Sequence, residues 1–303
     1  MRIALGILIL GVTATSWAAQ GAAAAQAVNI SFSLCDGMMC VPATLSDGKS
    51  HVMLLDTGNM NSWLSARTAR SLGMTLEPIM SGDKPLPGIF RLGAQTIALG
   101  GKSISARFLA LDESVTGDLP QGVEGAIAYT AFKDQVLELD YPRHELRVVE
   151  APQDHGIAPH AAMKLVTFGS QGPPIVVIEG LAVDGHAFAA QFDTCFTGTL
   201  VVYDAAIDQL GMRGASMNGK PQSFPYTDGG VTLNAAPSGR ITFAGGVLAS
   251  RPATVYFPAA GNNPVHQPDG LFEATVGNAL FAHSVVTLEF KSMSVYVRTQ
   301  RPS

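Results

Sequence analysis

Phe192–Val202 reads FDTCFTGTLVV, and Met53–Leu64 reads MLLDTGNMNSWL. Each places Asp-Thr plus one small residue at the end of an apolar run. Both tripeptides sit in matching surroundings. An Asp-Gly pair precedes each Asp by nine residues (56 − 47 and 193 − 184), in DGKSHVMLLD and DGHAFAAQFD. Asp-Gly between apolar segments is a hairpin signal, because Gly accepts positive φ. Each Asp-Thr is therefore expected at the end of the second strand of a hairpin.

The likeness continues downstream. SARTARSLGM follows the first tripeptide and YDAAIDQLGM the second. Thr96–Leu111 and Arg240–Phe257 both alternate apolar residues around a Gly-Gly pair, which reads as a second hairpin. EGAIAYTAFKDQVLELDYPRHELRVV matches EATVGNALFAHSVVTLEFKSMSVYVR, with Phe132 nine residues before Tyr141 and Phe281 nine before Phe290. Five anchors in one order at similar spacing mark an internal duplication. Period-two alternation ending in Gly, Asp or Pro argues for β-strands throughout. Short helices are expected at Ser65–Leu72 and Asp204–Leu210, each stopped by a Gly. The predicted fold class is all-β: two similar β-barrel-like lobes from an internal duplication, with an active-site cleft between them. The divisions are residues 28–150 for the N-terminal lobe, a linker at 151–162, and 163–303 for the C-terminal lobe.

Residues 1–27 read as a secretory signal peptide. Arg2 precedes the apolar stretch IALGILILGVTA, and small residues offer cleavage after Ala18 or Ala27. The apolar run is shorter than the roughly 20 residues a membrane span needs. The expected location is periplasmic or extracellular, with no membrane span after removal of the signal. The 303-residue chain is 47% hydrophobic and 14% charged, so it can bury a core. Its formal charge of −5 becomes −6 without Arg2 (18 − 24), and no Lys/Arg cluster is present, which excludes a phosphate-backbone binder.

Three cysteines remain to be placed. Cys35 and Cys40 bracket the turn-like DGMM and form a candidate disulfide suited to an oxidising compartment. A zinc pair is the alternative, and two Cys alone are a weak signature for one. No metal and no cofactor are expected. His-Glu-x-x-His, Gly-x-Ser-x-Gly and phosphate-binding Gly loops are all missing from the sequence.

If the two lobes are related by a two-fold axis, Asp56 and Asp193 face each other. Two close carboxyls share one proton; the charged one can deprotonate a water and the neutral one can donate to a carbonyl oxygen. On these residues the chain resembles the pepsin-like and retropepsin-like aspartic proteases, in a two-lobed bacterial form. LLDTGNMNSWL matches the family's apolar-apolar-Asp-Thr-Gly motif, and FDTCFTGTLVV matches it except at Cys195. GAIA (Gly125–Ala128) and ATVG (Ala274–Gly277) resemble the later Gly-apolar-apolar-Gly motif, each lacking one Gly. LELDYPRHELRV is similar to the strand pair that closes each lobe in single-lobe bacterial relatives.

The resemblance implies an exported aspartic endopeptidase that acts on peptide or protein substrates as a monomer. Asp56 and Asp193 would be catalytic. Thr57, Gly58, Thr194 and Cys195 would support the active-site loops. The segment PLPGIFRLG (Pro85–Gly93) is the expected flap over substrate. The alternative is a catalytically inactive relative that binds extended peptides in the cleft. Cys195 divides the two: it is a tolerated small residue, a lesion that spoils the second loop, or itself a nucleophile. If the loop needs positive φ at this position, Cys meets a steric cost that Gly avoids.

Overall fold

The structure, a computed structural model, describes residues 27–117, 119–149, 155–156, 158–167, 174–224, 231–249, 253–259 and 271–300. The expected signal peptide, apart from Ala27, and residues 151–154 and 157 of the expected linker lie outside these residues.

Two lobes are built from strands in the same order. Across the first lobe the order is Ser33–Cys35, Met38–Thr44, Ser50–Asp56, Val123–Ala128, Ser62–Ser65, Lys102–Leu111, Lys84–Leu99, Glu77–Ser81. Across the second it is His160–Thr167, Pro174–Val183, His186–Phe192, Ala274–Val276, Leu200–Val202, Thr254–Pro258, Val231–Pro237, Lys220–Phe224. The turns explain the hairpins. Asp184 and Gly185 take φ of 46° and 88° between Val183 and His186. Gly100 and Gly101 take 56° and 88° between Leu99 and Lys102. In the second copy the turn falls one residue earlier than the Gly-Gly pair, on Ala244 and Gly245.

Each lobe threads one strand between two others. Leu54–Asp56 runs parallel to Ala126–Ala128, while Trp63 and Leu64 pair antiparallel with Ala126 and Gly125 on its other side. Ala190–Phe192 and Leu200–Val202 flank Ala274–Val276 in the same way. The crowding accounts for the glycines kept in the two GAIA/ATVG motifs. A Cβ on Gly125 would lie 2.2 Å from the Trp63 carbonyl oxygen, and one on Gly277 2.2 Å from that of Phe196.

The lobes join through one shared antiparallel sheet. Val28–Ser31, Glu145–Val149 and Val136–Asp140 of the first half continue into Ser284–Glu289, Ser294–Thr299 and His160–Thr167 of the second. The seam is self-complementary. Val136 faces Glu289, Glu138 faces Thr287 and Asp140 faces Val285. Phe281 stands 149 residues after Phe132 (281 − 132), and the same offset carries Val136 to Val285 and Asp140 to Glu289. A half-turn about the Glu138–Thr287 midpoint therefore exchanges the two strands. Buried Glu138 is held there by Arg147 (2.7 Å) and Arg298 (3.4 Å).

Several local expectations change. Ala66–Ser71 is helical, with Ser65 as N-cap accepting from Thr68 N–H at 3.0 Å and Gly73 at φ +70° beyond its end. The stretch expected as a second helix has only the 3-10 turn Asp204–Ala206, followed by irregular turns to Gly211 at φ +65°. The His160–Thr167 strand begins inside the stretch read as linker, because His160–Ala162 pair with Ser294–Tyr296. The apolar stretch read as the tip of the flap is an arm of its hairpin. Pro85–Gly93 lies within the strand Lys84–Leu99, and the hairpin turns at Gly82–Asp83, where Ser81 pairs Lys84. Pro85 lacks an N–H but suits an exposed hairpin arm, so the apolar, Pro-rich run marks an arm and not the tip.

Candidate active site

The Ser50–Asp56 strand ends at Asp56, and Asp193 follows directly on the His186–Phe192 strand. The two loops meet at the lobe interface. A carboxylate oxygen of Asp56, one of Asp193 and the Sγ of Cys195 lie within 4.8 Å of one another. All three residues are part-exposed.

Thr57 and Thr194 are completely buried and lock the loops reciprocally. Each threonine N–H donates to the other's Oγ1 at 3.0 Å. Thr57 Oγ1 donates onward to the Phe192 carbonyl at 2.9 Å, and Thr194 Oγ1 to the Leu55 carbonyl at 2.5 Å. Both N–H groups and both hydroxyls of this buried cross are thereby paired, as buried polar groups require.

Gly58 faces the opposite carboxyl directly. A Cβ there would sit 2.5 Å from Asp193 Cγ. Gly58 does not adopt positive φ, and neither does Cys195. The sequence-based concern over backbone strain at Cys195 therefore does not apply. The constraint at this position is close approach to a carboxylate. In the second loop the Cys195 side chain takes the corresponding place beside Asp56, with its Sγ 3.7 Å from the Leu55 carbonyl oxygen and its N–H donating to Asp193 Oδ1 at 2.8 Å.

Electrostatics follow from this packing. Burial, and then the charge of Asp193, push the Asp56 carboxyl up to about 8, against hydrogen bonds from the Gly58 and Asn59 N–H groups and the Cys195 thiol. Burial likewise raises Asp193, against the N–H groups of Cys195 and Phe196. The Cys195 thiol is pushed well up by burial and by both carboxyls. Two acids beside it disfavour the thiolate, whereas a nucleophilic Cys needs a base or a positive field.

Several polar groups around the loops had no sequence signal of their own. Gln191 Nε2 reaches across the interface to the Gly58 carbonyl at 3.1 Å. Buried Asn278 donates to the carbonyls of Thr194 (2.7 Å) and Gly37 (3.0 Å) and accepts from Tyr141 OH (2.9 Å). Asn278 directly follows ATVG, so its place in the repeat was the available clue. Cys35 and Cys40 are disulfide-bonded, and Cys195 is free. The same two carboxylates and thiol are a donor set with metal-ligand spacing, and their side chains are engaged with one another and with main-chain groups.

Neither a protein-family model nor a curated protein matches the chain. Solved structures do. The basic 7S globulin from soybean is similar over 90% of this chain and 94% of its own, at 10% identity and a TM-score of 0.50. The aspartic proteinase from Irpex lacteus is similar over 91% of this chain and 98% of its own, at 11% identity and a TM-score of 0.51. At such identities the likeness shows the fold alone: this chain has the two-lobed, pepsin-like β fold.

Proposed function

We propose that the protein is an exported aspartic endopeptidase with Asp56 and Asp193 as its catalytic pair. The observation that carries this reading is the pair of carboxyls brought together at the lobe interface by the Thr57–Thr194 cross. One of the two holds a proton while the other is charged, because two adjacent carboxylates do not both ionise easily. The charged member takes a proton from a water positioned between them. The neutral member donates to the carbonyl oxygen of the scissile amide. Water adds to the carbonyl carbon, and the tetrahedral intermediate collapses as a proton reaches the leaving nitrogen; no bond forms between enzyme and substrate. The substrate is an extended peptide lying across the interface. Export is supported by the signal-like N-terminus and by the Cys35–Cys40 disulfide.

One observation favours a second reading. The Cys195 side chain stands beside Asp56, where the other loop has Gly58 beside Asp193. A cleft narrowed in this way suits a protein that holds extended peptides without cutting them. Peptide-library cleavage by the purified chain from about pH 3 to 7 separates the readings. Cleavage lost on Asp193→Asn supports the endopeptidase. Peptide binding without cleavage at any pH replaces it with the binding module.

A further inference from the structure

The hairpin closed by the Cys35–Cys40 disulfide belongs to the first lobe, yet its tip rests on the second lobe's Asp193 loop. Met39 N–H donates to the Thr194 carbonyl at 3.3 Å. Asn278 Nδ2 bonds the Gly37 carbonyl and the Thr194 carbonyl together, at 3.0 and 2.7 Å. Gly37, at φ +87°, passes so close to Thr197 that an added Cβ would lie 2.9 Å from its Cβ. Cys35, Cys40 and Cys195 belong to the same apolar cluster with Leu54 and Trp63.

The repeat has a counterpart to this contact. Cys40 pairs Leu54 and Val177 pairs Gln191, each partner two residues before its Asp (56 − 54 and 193 − 191), so Gly37 corresponds to Pro174. Tyr129 follows Ala128 as Asn278 follows Gly277, and Tyr129 OH donates to the Pro174 carbonyl at 3.0 Å. Both lobes thus reach from the threaded strand to the other lobe's first hairpin. Only the hairpin that abuts the Cys195-containing loop is stapled by a disulfide.

We infer that the disulfide-closed hairpin, acting through Gly37, Met39 and Asn278, is a cross-lobe strut that sets Asp193 against Asp56, so that the site is completed only when Cys35 and Cys40 are oxidised. The hairpin is a positioning element: it touches the main chain after Asp193 and not the reacting atoms. Forming the disulfide releases two electrons and two protons to an oxidant. A dithiol reverses this, opening the bond to two thiols and leaving as its own disulfide. A chain whose thiols are still reduced would carry both acids in a loosened pair. The inference rests on the peptidase reading only for its catalytic consequence.

The test compares four forms of the full chain: oxidised, reduced by excess dithiol, Cys35→Ala/Cys40→Ala, and Asn278→Ala with the disulfide kept. Each is followed by thermal unfolding, by carboxyl carbon NMR titration of labelled Asp, and by peptide cleavage. The expected result in the folded altered forms is an upper Asp titration step that moves down toward ordinary carboxyls. Alongside it, kcat falls about tenfold to a hundredfold with KM little changed, as misplacing a catalytic group does. An upper step that stays put in a folded altered form overturns the inference. So does unfolding of all three altered forms, which would make the hairpin a brace of the fold and not of the pair. If the oxidised chain cuts no peptide while the step still moves, the strut stands and the peptidase reading falls.

Discussion

At residue 195 the two copies of the repeat part company, and the structure turns that difference into chemistry. Gly58 leaves room for Asp193, while Cys195 fills the matching space and offers Asp56 a thiol donor. Hydrogen bonding to the charged form favours it, so the thiol holds Asp56 lower than burial alone would. Cys195→Gly should keep the fold and move the upper limb of the pH–rate profile upward; a limb that moves down or stays fixed contradicts the assignment. The pair of carboxyls also affects stability. A carboxyl whose pKa folding raises binds its proton more tightly in the folded chain. Its stabilising contribution is complete below the usual 3.8 and is lost as pH rises toward the folded value. Asp56→Asn removes that loss. The variant should be more stable than the native chain at about pH 7, by about 1–2 kcal/mol for a part-exposed pair, and show no such gain at about pH 3. Denaturant melts at the two pH values check both statements.

At the scale of elements, the threonine cross ties the two loops together across the lobe interface. Thr57→Val keeps the shape but leaves the Thr194 N–H without an acceptor and the Phe192 carbonyl without its donor. Orphaning buried groups costs about 1–3 kcal/mol each, so a loss of about 2–4 kcal/mol is expected in denaturant unfolding. Thr194→Val should cost a similar amount, because the cross is reciprocal. The hairpins of this architecture were legible in the sequence because Asp184-Gly185 and Gly100-Gly101 carry their own conformational signal. The apolar stretch Pro85–Gly93 reads as a tip because of Pro85 and Pro87, whereas an exposed arm tolerates proline and the turn needs only Gly82 and Asp83. The second helix fell short for a related reason: Asp204–Leu210 has helix-forming residues, but among its described neighbours no side chain caps its start.

At the scale of the whole molecule, the duplication visible in five sequence anchors becomes a pseudo-two-fold axis through the Glu138–Thr287 seam. That axis brings Asp56 and Asp193 together from positions 137 residues apart (193 − 56). The pairing of the acids could be read from the repeat, since a two-fold relation follows from matched motifs. The residues that hold the pair could not. Gln191, Asn278 and the Gly37–Met39 hairpin act across the interface, and contacts between lobes leave no period or turn signal in either stretch. The close approach that makes Gly58 necessary is equally a three-dimensional fact.

The most direct test of the central claim is the pH dependence of kcat/KM on one cleavable peptide, measured for the native chain, Asp56→Asn and Asp193→Asn. A shared proton predicts a single bell for the native chain, falling on its alkaline side as the raised carboxyl loses its proton, and a loss of about 10²–10⁴-fold in each variant. Cleavage that survives either substitution, or that keeps rising past that limb, would contradict the dyad.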